Sequence, residues 1–178
     1  MRNATVPAGP PTSPPFPSPG GPVERWLASA HPSPETVRNE WISAGKLALI
    51  PLGKTFDAVR IPEPVVYSAA QSNEPSTVGP WLARHLHGPV IHDPGFRRYY
   101  ALVPPGTAPA WAARSTECLS DGTYLGVPRT DRTELDEHTQ ASYWSVPMAR
   151  PGDLCRTADV LELVLLGHVL ADDEDDES

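Results

Sequence analysis

Between His87 and Pro147 the chain alternates short apolar runs with turn-forming residues, and this alternation limits the fold more than any other feature. The runs are rich in Val, Ile, Tyr and Trp, and Gly, Pro or Asp separates them, a pattern typical of strands joined by turns. Asp93-Pro94-Gly95 predicts a tight turn, so the runs on either side of it should pair as a hairpin. The strands predicted in this stretch are Pro89–His92, Arg98–Val103, Thr123–Val127 and Tyr143–Val146.

The rest of the chain predicts helices interspersed with further strands. Helices are expected over Val23–Ala30, Pro34–Ala44, Glu74–His87 and Ala158–Leu170, with Ser33 and Thr157 as caps. The further strands are Leu47–Leu52, Phe56–Ile61, Pro64–Ser68 and Thr116–Leu119, of which the first should be buried on both faces and the last should form a second hairpin with Thr123–Val127. The last helix should pack on the sheet through Val160, Leu161, Val164, Leu165 and Val169. This order predicts one α+β domain, about residues 23–170, with a mixed or antiparallel sheet, hairpins and three to four packing helices.

The two ends of the chain differ from the middle in composition. Eight of the 23 prolines fall within residues 1–22, and a Pro/Gly/Ser tract without periodicity buries too little surface to fold. Six acidic residues form the run Asp172–Glu177. We therefore predict disordered tails over residues 1–22 and 171–178. Each tail is either a solvated appendage or a segment that binds a protein partner.

Charge and cysteine content restrict the partners and the compartment. The net charge is −8, so the chain outside the acidic run carries −2 and has no dense cluster of Lys and Arg, which argues against strong non-specific binding of nucleic acid. No apolar run is long enough to span a membrane, and no membrane partner is expected. Cys118 and Cys155 form no CxxC motif, and the first residues do not resemble a signal peptide. These features predict a cytoplasmic protein with buried thiols.

Three motifs carry a resemblance to a known family: Arg97-Arg-Tyr-Tyr-Ala-Leu-Val-Pro-Pro-Gly-Thr107, Gly122-Thr-Tyr-Leu-Gly-Val-Pro-Arg129 and Tyr143-Trp-Ser-Val-Pro147. Together they resemble a shortened N-terminal domain of the bifunctional DNA primase/polymerases, of the archaeo-eukaryotic primase type. Ala44–Lys54 is similar to the first strand of that family, and the similarity extends from about Trp41 to Val146. The chain is also similar to a group of small actinobacterial proteins with the same strand order. The resemblance implies a primase- or RRM-like sheet.

The chain departs from this family where the family binds metal. Polymerases of this type hold two divalent ions with an Asp-x-Asp pair on one strand and an acid on another. The matching strand here, Val90-Ile-His-Asp93, has one carboxylate, and the family's phosphate-binding His falls at Tyr99 or Tyr100. The resemblance therefore implies a domain that has lost the polymerase site, with no catalytic residues, no metal and no cofactor. Whether the chain is an enzyme stays open, and the missing carboxylate pair favours a non-enzyme.

His92, Asp93, Arg97 and Arg98 form the densest polar group in the sequence. In a functional interpretation, His92 is a base or ligand oriented by Asp93, and the two arginines bind an anion. In a structural interpretation, Asp93 accepts backbone N–H groups at the start of the turn, and the arginines lie on a solvated hairpin end.

Aromatic residues on the predicted strands are further candidates for ligand contacts. Tyr100, Tyr124 and Trp144 could stack on nucleic-acid bases. Alternate strand residues face the core, however, so at most half of the strand aromatics face outward, and packing is the alternative role.

The sequence leads to three functional hypotheses. The first is a non-catalytic primase/polymerase-like accessory or regulatory binding module with a protein partner that the sequence does not identify. The second is an enzyme or binder with residual nucleotide or phosphate chemistry around His92, Asp93, Arg97 and Arg98; direct support for a nucleotide or nucleic-acid ligand is weak. The third is a protein-interaction module that uses its tails.

Overall fold

A computed structural model describes residues 20–176, which contain five α-helices, one short 3-10 helix and seven β-strands. The helices are α1 (Pro22–Ser29), α2 (Pro34–Ile42), α3 (Glu63–Ala70), α4 (Pro75–Leu86) and α5 (Thr157–Asp176), and the 3-10 helix is Ala108–Ala110. The strands are β1 (Leu47–Pro51), β2 (Asp57–Pro62), β3 (Val90–Asp93), β4 (Arg98–Val103), β5 (Glu117–Leu119), β6 (Tyr124–Pro128) and β7 (Tyr143–Val146). The α+β fold class predicted from the sequence is confirmed.

Five strands form the main sheet in the order β5-β2-β4-β3-β7, and every neighbouring pair is antiparallel. The predicted hairpin around Asp93-Pro94-Gly95 is confirmed: β3 pairs with β4, and Asp93 lies opposite Arg98. β2 and β7 flank this hairpin, so the turn lies at one end of the central strands. The hairpin is the part of the sheet that positions the candidate site.

β1 and β6 form a separate two-stranded antiparallel sheet. The prediction that the first strand is buried on both faces is wrong, because Ala48 and Ile50 are buried whereas Leu47 and Leu49 are 40% and 53% exposed. A two-stranded sheet that lies over the rest of the protein has one covered face and one face in solvent. The Trp41 indole N–H donates to the Val127 carbonyl oxygen at 2.9 Å and fixes α2 to this sheet.

The predicted second hairpin is also wrong, because β5 pairs with β2 and β6 pairs with β1. Between β5 and β6 the chain passes from one sheet to the other. The Ser120 hydroxyl donates to the buried Asp57 carboxylate at 2.7 Å, and the Leu52 N–H donates to the Thr123 carbonyl oxygen at 2.9 Å. These long-range hydrogen bonds set the path of the connection, so a local turn motif does not reveal it.

The predicted strand Pro64–Ser68 lies instead in α3. A short apolar run is compatible with a buried strand or a buried helix, and periodicity alone does not separate them. Pro64 in the first turn fits a helix start, and Val65, Val66 and Ala69 are buried on the side that faces the core. This extra helix raises the number of packing helices from the predicted three or four to five.

Two apolar cores lie on opposite faces of the main sheet. One core joins the sheet to α3, α4 and α5, and it includes Val59, Ile61, Val90, Tyr99, Val66, Leu82 and Val164. The other joins the sheet to α1, α2 and the two-stranded sheet, and it includes Ala58, Ile91, Leu102, Trp144, Leu27, Trp41 and Ile50. The hairpin therefore has one face toward each core.

The last helix is longer than predicted and buries a different face. It continues to Asp176, so residues 171–176, expected to belong to a disordered tail, are helical. Likewise α1 starts at Pro22, inside the expected N-terminal tail. The remainder of both tail predictions, residues 1–19 and 177–178, lies outside the described residues.

Only part of the apolar face predicted for α5 is buried. Val160 and Val164 are buried as expected, but Leu161, Leu165 and Val169 are 38%, 53% and 57% exposed. The helix contacts α3 through the opposite side, where Leu163 and Gly167 are buried. A Cβ atom at Gly167 would lie 2.3 Å from the Val65 carbonyl oxygen, so the backbones of α3 and α5 pack in direct contact.

We expect Gly167→Ala to destabilise the protein by about 1–3 kcal/mol, because the added methyl group must push α5 away from α3. In an exposed helix interior the same substitution stabilises by roughly 0.5–1 kcal/mol. Denaturant unfolding of the variant measures the change in free energy. Gly45→Ala is the matched control, since a Cβ there meets no atom within 4 Å. Equal stabilities of the two variants would contradict the close α3–α5 contact.

Candidate functional site

The β3–β4 hairpin places the predicted polar residues on two different faces of the sheet. Side chains alternate along a strand, so His92 and Tyr99 lie toward α3, while Asp93, Arg98 and Tyr100 lie on the other side. The four residues of the predicted polar group are therefore neighbours in the chain but do not converge on one point. We use "hairpin tip" for Asp93 to Arg98.

His92 lies in a buried hydrogen-bond chain with residues that the sequence analysis did not associate with it. Its side chain is 3% exposed, its Nδ1 is 2.8 Å from the Tyr143 hydroxyl, and its Nε2 is 2.9 Å from Glu63 Oε1. The three residues come from β3, β7 and the first turn of α3. Both ring nitrogens are occupied, so neither is available to a ligand or metal in this arrangement.

The hydrogen bonds are consistent with a neutral imidazole. Burial lowers the pKa of His92 below its usual value, and the hydrogen bond and negative charge of Glu63 only partly oppose this effect. With the proton on Nε2, that nitrogen donates to the Glu63 carboxylate, and Nδ1 accepts from the Tyr143 hydroxyl. The chain of donors and acceptors is then complete without a charged imidazole.

Two tyrosines enclose the imidazole. The Tyr99 ring stacks on the His92 ring with centroids 4.1 Å apart and planes 2° apart, and Tyr143 packs edge-on at 5.2 Å. Burial, together with nearby Tyr67 and Glu63, raises the pKa of both Tyr99 and Tyr143 above the usual tyrosine range. Both phenols therefore stay protonated at neutral pH, as expected for groups that hold the core together.

Glu63 connects this buried chain to the solvent through Arg97. Arg97 Nε donates to Glu63 Oε2 at 3.3 Å, and the Glu63 backbone N–H donates to the Arg97 carbonyl oxygen at 3.1 Å. The Arg97 side chain is 74% exposed, and its φ of +56° lies in the left-handed region that non-glycine residues rarely adopt. The start of α3 and the buried network thus hold Arg97 in an unusual backbone conformation at the surface.

The opposite side of the hairpin tip is open to solvent. Phe96 is 71% exposed, and the Arg98 guanidinium lies 5.1 Å from the centre of its ring. Asp93 Oδ1 accepts from the Phe96 N–H at 3.4 Å, as in the structural interpretation of the turn. Tyr100 is half-buried next to Arg98; burial raises its pKa, and the positive charge of Arg98 opposes the increase.

The other two predicted aromatics lie away from the tip. Trp144 is 2% exposed, and its indole N–H donates to the Pro128 carbonyl oxygen at 3.0 Å, so its position fits the packing alternative. Tyr124 is 59% exposed on β6 and lines a cavity with His31, Lys54 and Asp121. Neither residue contributes to the surface at the hairpin tip.

Sequence reasoning missed Glu63, the residue that links His92 to Arg97. The only available signal was Pro62-Glu63-Pro64, a proline-flanked acid that is typical of a first helical turn and conflicts with the strand predicted there. It also missed Asp57, which is fully buried and accepts hydrogen bonds from the Thr107 N–H at 3.0 Å and the Ser120 hydroxyl at 2.7 Å. No sequence pattern marks Asp57, since both partners are more than 45 residues away.

Among residues 20–176 no group of three or more His, Cys, Asp and Glu side chains is arranged to hold a metal ion. None of the helices in that range is long and apolar enough to cross a bilayer. Burial raises the pKa of the Cys118 and Cys155 thiols to about 12, which keeps both protonated at neutral pH.

Comparison with known proteins gives no match to a family model, a curated protein or a solved structure.

We expect the unfolding free energy to fall with decreasing pH below about 6.5, because an unfolded histidine takes up a proton that buried His92 resists. One such group changes the unfolding free energy by at most about 1.4 kcal/mol per pH unit. The stabilisation that it provides is lost as the pH falls toward the lowered pKa of His92. Urea unfolding at a series of pH values measures this slope. His92→Asn should reduce it and, by weakening a buried network, should also destabilise the protein by about 1–3 kcal/mol.

His87→Asn is the control, because His87 is exposed and asparagine tolerates its left-handed backbone conformation. The control should leave the pH slope unchanged. A slope unaffected by His92→Asn would contradict a neutral, buried His92.

Proposed function

We propose that the chain is a non-catalytic, primase/polymerase-like accessory or regulatory binding module that takes its ligand at the hairpin tip. One observation carries the proposal: the two polar residues of the strand that matches the family's metal strand are engaged in structural contacts. His92 is enclosed by Glu63 and Tyr143, and Asp93 accepts the Phe96 N–H of its own turn. Side chains used in this way hold the hairpin in shape, and they leave recognition to the exposed residues around them.

The exposed residues of the tip combine an aromatic ring with two guanidinium groups. Phe96 is the most exposed aromatic among the large apolar residues of the described chain. Arg97 and Arg98 lie next to it, with Arg97 held in the left-handed region by its contacts to Glu63. Unusual backbone conformations that surrounding structure maintains are frequent at functional sites.

This combination favours an anionic ligand that also carries a flat ring, such as a nucleotide or an unstacked end of a nucleic acid. Guanidinium groups form strong charge-assisted hydrogen bonds to phosphate, and aromatic rings stack on bases. The net charge of −8 opposes general attraction of nucleic acid, so binding depends on the local tip. Because His92 is enclosed, Arg97 and Arg98 provide the anion contacts in the nucleotide-binding version of this proposal.

We expect Phe96→Ala to weaken binding of a short fluorescent single-stranded oligonucleotide by about tenfold, since one stacking contact contributes about 1–3 kcal/mol. Arg98→Ala should weaken binding by a similar factor, since a hydrogen bond to a charged group contributes about 1.5–3 kcal/mol. Fluorescence anisotropy measures the affinity, and a parallel thermal-shift series with nucleotides and Mg²⁺ or Mn²⁺ tests smaller ligands. The affinity should fall only modestly as the salt concentration rises, because Arg97 and Arg98 provide few phosphate contacts.

Arg84→Ala and Ile42→Ala are the matched controls, since both residues are exposed on helices away from the tip. Neither should change the affinity. Equal losses in the tip and control variants, or a chain that binds none of these ligands, would reject the hairpin tip as the ligand site. Nucleotide addition to a primed template by the wild-type chain would reject the non-catalytic assignment.

A protein-interaction module is the second candidate function. The observation that favours it is the row of exposed apolar side chains on α5, a helix that contributes no residue to the tip. The two candidates are compatible, because each uses its own surface.

A further inference from the structure

The end of α1 and two chain connections enclose a cavity to which the β3–β4 hairpin contributes no residue. Its volume is about 440 Å³, within the range of about 300–1,000 Å³ that is usual for small-molecule sites. One wall consists of residues 29–32, and the other comes from the β1–β2 and β5–β6 connections. We call this space the α1 cavity, and it is a candidate site separate from the hairpin tip.

Backbone contacts hold the two connections against each other. The Leu52 N–H donates to the Thr123 carbonyl oxygen at 2.9 Å, which continues the pairing of β1 with β6. Gly53 has a φ of +104°, and a Cβ atom there would lie 2.6 Å from the Asp121 backbone nitrogen. Only glycine allows this conformation and this approach. The wall that carries Lys54 and Asp121 is therefore a fixed part of the fold.

An aromatic contact fixes the opposite wall. The Trp26 ring on α1 stacks on the Phe56 ring, with centroids 5.9 Å apart and planes 25° apart. Phe56 is fully buried at the end of the β1–β2 connection, so α1 and this connection pack as one unit. Both walls are thus held in place by the core, and a preorganised site binds its ligand at a lower entropy cost.

Two full charges of opposite sign line the α1 cavity and do not pair with each other. Among residues 20–176 the Lys54 ammonium group and the Asp121 carboxylate have no hydrogen-bond or ion-pair partner. Other surface charges do pair, among them Arg129 with Asp131 at 2.6 Å. Lys54 and Asp121 are therefore both available to ligand groups of the opposite charge.

His31 and Tyr124 add a hydrogen-bond donor and an aromatic surface to the cavity. His31 Nδ1 accepts from the Ser33 N–H at 2.8 Å, so the neutral ring carries its proton on Nε2. That nitrogen has no partner in the described part of the chain. Tyr124 lines the same cavity and is 59% exposed, so its ring is open to an apolar group. The carbonyl groups at the end of α1 add partial negative charge to their wall.

We propose that the α1 cavity binds a free α-amino acid with an aromatic or other apolar side chain. The carboxylate of the ligand accepts from Lys54 and His31, its ammonium group donates to Asp121, and its side chain packs on the Tyr124 ring. Charge-assisted hydrogen bonds are about twice as strong as neutral ones, so a zwitterion satisfies these groups better than a sugar does.

The chemistry of this ligand differs from that proposed for the hairpin tip. A nucleotide would bring several negative charges close to the Asp121 carboxylate, and their repulsion would oppose binding. The inference therefore stands independently of ligand binding at the tip.

Isothermal titration calorimetry of the full chain with L-phenylalanine tests the binding, and two analogues test its chemistry. 3-Phenylpropanoate lacks the ammonium group, and phenethylamine lacks the carboxylate. We expect each analogue to bind the wild type about tenfold more weakly than L-phenylalanine, because each leaves Asp121 or Lys54 without its partner.

Substitutions in the cavity assign each ligand charge to its side chain. Asp121→Asn should weaken L-phenylalanine binding about tenfold but should not weaken binding of 3-phenylpropanoate, which has no ammonium group. Lys54→Met should likewise weaken L-phenylalanine binding but not phenethylamine binding, and Tyr124→Ala should weaken all three ligands. Lys46→Met and Glu162→Gln are the matched controls, since they change exposed charges outside the cavity and should leave the affinity unchanged.

Three results would overturn the proposal. The first is a wild-type chain that binds none of L-phenylalanine, L-tyrosine and L-leucine at millimolar concentration, or that binds glucose more tightly than these. The second is equal affinity for L-phenylalanine and both analogues, which would mean that apolar contact alone drives binding. The third is an equal loss in Asp121→Asn and Glu162→Gln, or a loss in Phe96→Ala with the fold intact by circular dichroism, which would place the ligand elsewhere.

Discussion

The hydrogen-bond chain Glu63–His92–Tyr143 is the interaction on which the rest of the structure depends. It joins the first turn of α3 to the interior strand β3 and the edge strand β7, and it extends through Arg97 to the surface. Each hydrogen bond contributes only about 0.5–1.5 kcal/mol to stability, but an unpaired member in this buried position costs about 1–3 kcal/mol. The main effect of the network is therefore to fix one arrangement of α3 against the sheet, and its net contribution to the free energy of unfolding is small.

This network also separates the two roles of the β3–β4 hairpin. The side toward α3 is closed, because His92 and Tyr99 stack within the core and have no access to solvent. The turn projects beyond the core and exposes Phe96 and Arg97. A rigid, buried support under an exposed turn is the usual arrangement of a recognition loop.

The contact between α3 and α5 has a similar consequence for the outer surface. Because Gly167 has no side chain, the backbones of α3 and α5 come into direct contact, and the inner side of α5 is buried there. The remaining apolar residues of the helix, among them Leu165 and Val169, are left in solvent. One side of α5 is therefore tightly packed, and no element of residues 20–176 covers the other side.

The candidate site was only partly predictable. The sequence pointed to His92 and Arg97, and the structure links both through Glu63. The sequence interpretation instead joined His92 to Asp93, its chain neighbour, although alternation along a strand places adjacent side chains on opposite faces. Glu63 and Tyr143 are 29 and 51 residues from His92, so only the folded chain brings them to it.

The sequence by itself determined the local elements that turn chemistry and periodicity encode: the β3–β4 hairpin around Asp93-Pro94-Gly95, the start of α2 at Pro34, and β7. These depend on residues close together in the chain. Tertiary structure decided which strands share a sheet, that residues 63–70 form a helix, and which side of α5 is buried. Those outcomes depend on contacts between distant residues, such as Ser120 with Asp57 and Gly167 with Val65, whose free energies exceed weak local preferences and leave no periodic signal in the sequence.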